Sequence, residues 1–412
     1  MINFRMLKLS DPWLWSAVGA LILISLLAIF SCTHSLQIKF GGDAWFYVKR
    51  QLLSLLVGAI GLGIFTYFDY KQLQKAAPFL YGIMIILLGG ILFMGGVGGG
   101  AQRWFQLGPL SFQPSELSKI IMVIALAAFF SQRQMIKGAF DAGALLIMVG
   151  LPFLLIFKQP DLGTALVFII ILIGMLTASW ASPKLLVLLI SPMISALLRP
   201  ILIVWLAYLV ALIIILFLSR ASLWDWLMVM GLNIAVGIAV PFIWGMLKSY
   251  QQQRIVAFLN PGSDPQGAGY HSLQSKIAMG SGGLFGRGFL RGSQTQLHFI
   301  PEQHSDFIFS VIGEEFGFIG TAVVLSLFAV IIWRAFVIAA GSPDLFGQLL
   351  ASGIAVMTGF HVVANVGMTL GLLPVVGMPL PFVSFGGSSL LVNMMALGIL
   401  QSICMRRQKI LF

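Results

Sequence analysis

The sequence predicts an all-α fold, a polytopic bundle of transmembrane helices, and two observations carry this prediction. Of the 412 residues, 59% are hydrophobic and only 9% are charged, whereas soluble domains carry about 25% charged residues. Many apolar runs are about 18 residues long, which is enough to cross a bilayer as a helix. A β-barrel would instead alternate in segments of roughly 10 residues. We therefore expect residues 1–412 to form a single integral membrane domain.

Twelve apolar spans are expected along the chain. They lie at about 13–30, 51–68, 78–94, 115–131, 141–157, 162–180, 185–218 (two spans), 227–247, 306–333, 346–371 and 384–404. The stretch 185–218 is too long for one ordinary span, and Pro200 beside Arg199 is a natural place to break a helix. We therefore expect an extra apolar hairpin over 185–218, added to about ten other spans.

The cations predict the orientation of these spans. The net charge is +11, but the cations lie mostly at the ends of apolar runs, as the positive-inside rule requires. With the N-terminus inside, twelve cations fall on inner segments: Arg5, Lys8, Lys71, Lys75, Arg133, Lys137, Lys184, Arg220, Arg334, Arg406, Arg407 and Lys409. Six fall on short outer loops: Lys39, Lys49, Arg50, Arg103, Lys158 and Arg199. Both termini are therefore expected in the cytoplasm. Because no Lys/Arg block of the nucleic-acid-binding type occurs, we expect no nucleic-acid partner.

In this orientation, the one long polar segment, residues 248–305, is a large extracytoplasmic loop. It contains His271, His298 and His304 and a glycine-rich run at 280–292. A long loop without clear secondary structure is usually functional or disordered, and the aromatic, glycine and charged residues here argue against disorder. The glycines lack the Gly-Lys-Ser/Thr ending of a phosphate loop. We expect this loop to carry the functional site.

Charged residues within spans are candidates for function because their burial in lipid is costly. Glu116 and Lys119 open the fourth span at i, i+3 spacing, which places them on one helix face. They form either a structural ion pair or the polar floor of a substrate cavity, and the two roles are compatible. Asp161 precedes the sixth span, where it is either an N-cap or a side chain facing that cavity.

Further acidic residues lie in and after the long loop. Asp264 stands in a Pro-Gly-Ser-Asp-Pro sequence, which by composition is a turn. Glu302, His304 and Asp306 lead into the tenth span, where Asp306 is alternatively an N-cap. Of the adjacent Glu314 and Glu315 inside that span, we expect one to face the bundle interior. Four outer arginines are candidates for binding an anionic group or for interface anchoring: Arg50, Arg103, Arg287 and Arg291.

Five segments together resemble the SEDS family (shape, elongation, division and sporulation). They are AQRWFQLGPLSFQPSELSK (101–119), KQPDLGTA (158–165), RIVAFLNPGSDPQGAGYHSLQSKIAMGSGGLFGRG (254–288), the stretch 301–317 and LPVVGMPLPFVSFGGSS (373–389). The glycine-rich string and the run 294–300 favour the RodA branch over the FtsW branch. The family is usually described with ten spans, so the hairpin at 185–218 is a departure from it.

This resemblance implies a peptidoglycan glycosyltransferase that polymerises lipid II into glycan strands on the outer face of the cytoplasmic membrane during cell elongation. It implies Asp264 as the catalytic residue, a general base, and Glu116, Lys119 and Asp161 as supporting residues. The matching segments add further candidates for binding substrate: Arg103, Gln113, Gln274, Lys276, Glu302, His304 and Asp306. A class B penicillin-binding protein and the elongation machinery are the implied partners.

The family also suggests a divalent cation, Mg²⁺ or Mn²⁺, although no metal-binding spacing is visible in the sequence. Two other functions fit a polytopic bundle. A lipid II flippase would need a continuous polar path through the spans, whereas the ionisable groups cluster towards the outer side. A scaffold that only recruits the crosslinking partner would tolerate loss of Asp264.

Overall fold

The computed structural model describes residues 8–94, 96–98, 101–107, 110–133, 139–179, 183–219, 222–260 and 268–407. Helices account for most of this part of the chain. They are α1 (Pro12–Lys39), α2 (Phe46–Tyr67), α3 (Tyr70–Met94), α4 (Pro114–Ser131), α5 (Ala139–Lys158), α6 (Leu162–Ala178), α7 (Pro183–Leu198), α8 (Leu202–Leu218), α9 (Leu223–Met246), α10 (Ser249–Leu259), α11 (Ala268–Gly282), α12 (Ser293–Gln296), α13 (Ile308–Ala340), α14 (Leu345–Thr369) and α15 (Gly387–Met405).

A small antiparallel sheet separates α3 from α4. Its strands are β1 (Gly96–Gly98), β2 (Ala101–Leu107) and β3 (Leu110–Phe112), paired in the order β1-β2-β3.

The apolar helices confirm the prediction of an all-α transmembrane bundle. By length and composition, eight helices in the described part can cross a membrane: α1 to α4, α9, and α13 to α15. Four shorter apolar helices, α5 to α8, accompany them. The chain is thus a multi-pass membrane protein, and the total of twelve crossings stays a prediction.

Helix α4 lies at the centre of the bundle, and 83% of it is buried. It packs against α3, α6 and α14, while α15 packs on α2 and α13 packs between α1 and α14. Since Glu116 and Lys119 stand in the first two turns of α4, this packing places both charges inside the protein.

The stretch 185–218 forms two helices, α7 and α8, with the break at residues 199–201. Together with α9 they form a peripheral unit held by buried polar contacts. Asn233 on α9 donates to Ser191 Oγ (2.8 Å), and Trp205 on α8 donates to Ser195 Oγ (2.7 Å). The remaining surface of α8 and α9 is largely apolar and exposed, as expected for helices that face lipid.

The segment 248–305 is more ordered than the sequence predicts, because it contains α10, α11 and α12. Helix α11 is held by Ser275, whose hydroxyl lies 2.6 Å from both Thr369 O and Ser310 Oγ. Tertiary contacts of this kind stabilise short helices that composition alone does not predict.

Helix α13 is interrupted at Gly317, which has a left-handed φ of 66°. The glycine-rich turn after α11 supplies the hydrogen bonds that the helix loses there. The four bonds are Phe318 N to Gly283 O (2.9 Å), Ile319 N to Leu284 O (3.2 Å), Arg287 N to Glu314 O (2.9 Å) and Gly288 N to Glu315 O (3.0 Å). Gly282 and Gly286 lie so close to the α13 backbone that neither has room for a Cβ atom. The glycine run therefore docks onto the break in α13.

Both Glu314 and Glu315 face the interior, whereas we expected only one of them to do so. Glu314 accepts hydrogen bonds from the backbone of Gln294 (2.8 Å) and Thr295 (2.9 Å) at the start of α12. Glu315 accepts from Ser31 Oγ on α1. The two carboxylates thus fasten the end of the loop to α13 and α1.

Candidate active site

A cavity of about 850 Å³ opens where α2, α4, α6 and α15 begin. One wall is the segment that leads into α13, and Trp104 of β2 and the turn before α15 complete the lining. Its charged residues are Arg50, Glu116, Lys119, Asp161, Glu302 and Asp306. The structure therefore brings together residues that lie far apart in the sequence.

Glu116 and Lys119 form an ion pair in the cavity wall. Lys119 Nζ lies 2.7 Å from Glu116 Oε1, and the two residues are only 4% and 3% exposed. Lys119 Nζ also lies 2.9 Å from His361 Nε2 on α14. Both readings of the pair are therefore compatible with the structure, as a structural ion pair and as part of the cavity.

His361 was not predicted from the sequence as a site residue. The signal that could have found it is a lone histidine within an apolar span, since polar side chains in spans usually face the bundle interior.

Asp161 is the N-cap of α6, as predicted. Its carboxylate accepts from Thr164 N (3.3 Å), Thr164 Oγ1 (3.0 Å) and Gln113 Nε2 (3.2 Å). Ser115 Oγ lies 3.5 Å from the same carboxylate. Gln113 and Ser115 stand at the start of α4, so Asp161 joins the ends of α4 and α6 within the cavity wall.

His304 packs against two aromatic rings, of which Phe385 also lines the cavity. Its ring centroid is 4.9 Å from that of Tyr47 and 5.4 Å from that of Phe385. Burial lowers the pKa of His304, while the neighbouring Glu302 carboxylate acts in the opposite direction. Glu302 itself is exposed at the cavity edge, with its Oε2 4.0 Å from His304 Nε2.

Asp306 is not an N-cap, because Phe307 holds that position at α13 without a side-chain hydrogen bond. Its carboxyl group lies over Gly377, where an added Cβ would be 3.2 Å from Asp306 Oδ2 and 4.0 Å from Arg254 Nη1. Burial and the nearby Glu302 carboxylate raise the pKa of Asp306 to about 6, and Arg254 lowers it. Asp306 therefore keeps its proton to a higher pH than an exposed aspartate does.

Four other predicted site residues are not part of the described cavity lining. Asp264 is outside the described residues, as is the side chain of Arg103 on β2. Gln274 and Lys276 stand on α11 and do not line the cavity. The Lys276 side chain instead covers Gly371, which leaves no room for a Cβ there.

Two of the arginines proposed to bind an anion, Arg287 and Arg291, are also absent from the cavity lining. Arg287 donates to Ser293 Oγ (2.6 Å) beside the break in α13. Arg50 alone of the four outer arginines has a described side chain in the lining. It stands in the first turns of α2, at the exposed edge of the cavity.

The cavity combines an arginine at its edge, a lysine in its wall and several carboxyl groups. Such a site is suited to a polar ligand with an anionic part, and its acids can accept or supply protons. Among the described residues, no three carboxylate, histidine or cysteine side chains converge as metal ligands. The charged side chains in the described cavity lining are suited to acid–base and electrostatic chemistry.

The bundle and its cavity define a multi-pass helical membrane protein with a charged chamber at one end of its spans. The chain belongs to the FtsW, RodA and SpoVE family of cell cycle proteins, whose model matches residues 12–211 and 204–409. The predicted SEDS membership is thereby confirmed. The two matched segments overlap at residues 204–211, within α8 of the hairpin that was predicted to be a departure from the family.

Relatives and solved structures agree with this family. The chain is 35% identical to the peptidoglycan glycosyltransferase MrdB of Escherichia coli K12, over 97% of this chain and 94% of MrdB. It is 35% identical to the stage V sporulation protein E of Bacillus subtilis, over 96% and 98% of the two chains. RodA of Thermus thermophilus superposes with a TM-score of 0.64 at 26% identity, covering 97% and 98%. A chain of a peptidoglycan synthase complex for polymerization and crosslinking superposes with a TM-score of 0.69 at 28% identity, covering 97% and 99%.

Proposed function

We propose that this protein is a peptidoglycan glycosyltransferase that polymerises lipid II into glycan strands during cell elongation. The observation that carries the proposal is the cavity, in which acidic and basic side chains of four helices and one loop meet at one end of an apolar bundle. A ligand with an apolar lipid tail and a polar sugar pyrophosphate matches this combination. Relatives named peptidoglycan glycosyltransferases align over nearly the whole chain.

In the proposed reaction, a hydroxyl oxygen of the acceptor glycan attacks the anomeric carbon of the donor glycan, which carries the lipid pyrophosphate. A new glycosidic C–O bond forms, the bond between the anomeric carbon and the pyrophosphate oxygen breaks, and the lipid pyrophosphate leaves. The hydroxyl proton passes to a general base. Direct displacement inverts the configuration at the anomeric carbon. The protein has to hold the hydroxyl, accept its proton and stabilise the negative charge of the leaving group.

Asp264 is the proposed base. Support comes from α10, the helix that leads into its segment. At the start of α10, Gln251 lies 3.5 Å from Pro160 O, directly before Asp161. Further along α10, Arg254 Nη1 lies near Gly377, and the Asp306 carboxyl group lies near the same glycine. Helix α10, which leads into residues 261–267, is thus anchored against elements of the cavity.

The cavity residues have distinct proposed roles. Arg50 at the edge is placed to attract the pyrophosphate. Lys119, already paired with Glu116, contributes a hydrogen-bond donor rather than a net charge. Asp306 is placed to hydrogen-bond a sugar hydroxyl.

We also propose that the cavity faces outward from the cytoplasmic membrane, with both termini in the cytoplasm, as the cation distribution predicts. A class B penicillin-binding protein is the proposed crosslinking partner, within the elongation machinery. A related chain was solved in a complex that couples polymerization to crosslinking.

A divalent cation, Mg²⁺ or Mn²⁺, remains a prediction from the family resemblance. Since the described residues offer no set of three metal ligands, no step of the proposed reaction is routed through a metal.

The decisive experiment incubates the purified full-length protein with lipid II in detergent, with and without its class B partner. We expect the wild type to form glycan polymer and Asp264→Asn to form none while keeping its unfolding midpoint. Asp225→Asn is the matched control, because Asp225 belongs to the capping box of α9 and does not line the cavity. An Asp264→Asn variant that polymerises at the wild-type rate rules out the base assignment. Lipid II left unchanged by the wild type with its partner favours a flippase or a scaffold.

A further inference from the structure

His361 stands on α14 behind the Glu116–Lys119 pair, and its hydrogen bonds determine its protonation. The ring Nδ1 lies 2.7 Å from Met357 O, one turn earlier in the same helix. Because a carbonyl oxygen only accepts hydrogen bonds, Nδ1 carries the proton. Nε2 then carries a lone pair and accepts from Lys119 Nζ at 2.9 Å. His361 is therefore a neutral acceptor with a defined tautomer.

This acceptor fixes the direction of the Lys119 ammonium. A lysine ammonium has three N–H donors, and two of them point to Glu116 Oε1 (2.7 Å) and His361 Nε2 (2.9 Å). All three residues are at most 4% exposed, so the side chains have little freedom to change rotamer. With two donors fixed, tetrahedral geometry fixes the third. Lys119 lines the cavity, and among the described residues only Glu116 and His361 accept from its ammonium.

We propose that His361 is a positioning residue for the reaction, which orients Lys119 to donate a hydrogen bond to an uncharged oxygen of the bound sugar, a carbonyl or a hydroxyl. The proposal rests on the glycosyltransferase function proposed above. An uncharged oxygen is the better match because Glu116 already balances the charge of Lys119. A pyrophosphate is better served by Arg50, at the cavity edge.

The alternative is a purely structural role, in which His361 only satisfies a buried lysine. The two roles differ in their coupling to Lys119. If His361 acts through Lys119, its replacement causes no further loss of activity once Lys119 is absent, and an acceptor of another shape partly restores activity. A structural role would instead lower stability and activity together, whichever residue stands at position 119.

The test measures kcat and KM for lipid II polymerisation by the purified full-length protein with its class B partner. The variants are His361→Leu, which removes the acceptor, and His361→Gln, which keeps one. Each is made alone and together with Lys119→Met. We expect His361→Leu to lower kcat/KM about tenfold or more, since it removes one hydrogen bond to a charged group. His361→Gln should recover most of that loss, and His361→Leu should have no effect in the Lys119→Met background.

Asn233→Leu is the matched control, because it also removes a fully buried polar side chain, but in the peripheral helices. We expect it to lower the unfolding midpoint without changing kcat/KM. If His361→Leu fails to fold, His361→Met replaces it.

Wild-type kcat/KM in His361→Leu, or equal losses with and without Lys119, overturns the positioning role. A wild type that makes no polymer overturns the proposed function itself, so the two failures are distinguishable.

Discussion

Removing one charge of the buried Glu116–Lys119 pair should destabilise the protein more than removing both. Two unit charges 2.7 Å apart attract by about 6 kcal/mol at an effective dielectric constant of 20. Part of this attraction offsets the desolvation of the two groups, and loss of one partner from a buried pair costs about 3–5 kcal/mol. Glu116 Oε2 is also buried and has no hydrogen-bond partner among the described residues. The carboxylate therefore depends strongly on Lys119.

Thermal unfolding of the purified protein in detergent at pH 7 measures this effect. We expect Lys119→Met and Glu116→Gln to be destabilised, and the double variant to be more stable than Lys119→Met, because it buries no unpaired charge. Lys75→Met, which removes an exposed lysine on α3, should change stability by about 0.5 kcal/mol or less. A Lys119→Met midpoint equal to that of the wild type contradicts the reasoning. If the double variant is stable but makes no glycan, the pair also acts in the reaction.

Two further predictions concern Asp306 and the glycine turn. The pKa of Asp306 rises from 3.8 in the unfolded chain to about 6 in the folded protein, so the native state binds this proton more tightly. The free energy of unfolding should therefore fall as pH rises from about 4 to about 6, and then level off. Unfolding midpoints between these pH values should show a smaller fall for Asp306→Asn than for the wild type, and equal falls contradict this assignment.

Gly286→Ala should cost about 1–3 kcal/mol, because residue 286 has a left-handed φ of 81° against the Glu315 carbonyl. Gly280→Ala is its control, since a Cβ at Gly280 meets nothing within 4 Å, and equal midpoints for the two variants would count against tight docking.

The sequence predicted the transmembrane helices well, because lipid leaves few alternatives to a helix for a long apolar run. Their ends were less predictable. The first span was expected at 13–30, but α1 continues to Lys39, since a helix can extend beyond the apolar core of a membrane. Helices α10, α11 and α12 were not predicted, because tertiary contacts such as those of Ser275 hold them and their composition does not reveal it.

In the candidate site as well, residues marked by their own chemistry were predictable, whereas residues that depend on tertiary contacts were not. Glu116, Lys119 and Asp161 were predictable because charges beside apolar runs are rare and costly. Gln274 and Lys276 belong to the same matching segment as Asp264, yet the path of α11 carries them away from the cavity. His361 and Gly377 were missed because their contribution depends on which helix or turn lies opposite them, and a single sequence contains no such information.

The docking of the glycine turn onto α13 also restricts how long that turn can be. Its donors and acceptors at positions 283, 284, 287 and 288 must match peptide groups of a helix on both sides of Gly317. One residue more or less would shift every one of these bonds out of register. By contrast, the turn at residues 199–201 joins two peripheral helices, and it contacts α9 through a side chain, since Arg199 Nε donates to Gly237 O (2.8 Å). Insertions and deletions should therefore be tolerated at the tip of the hairpin and rejected between residues 283 and 288.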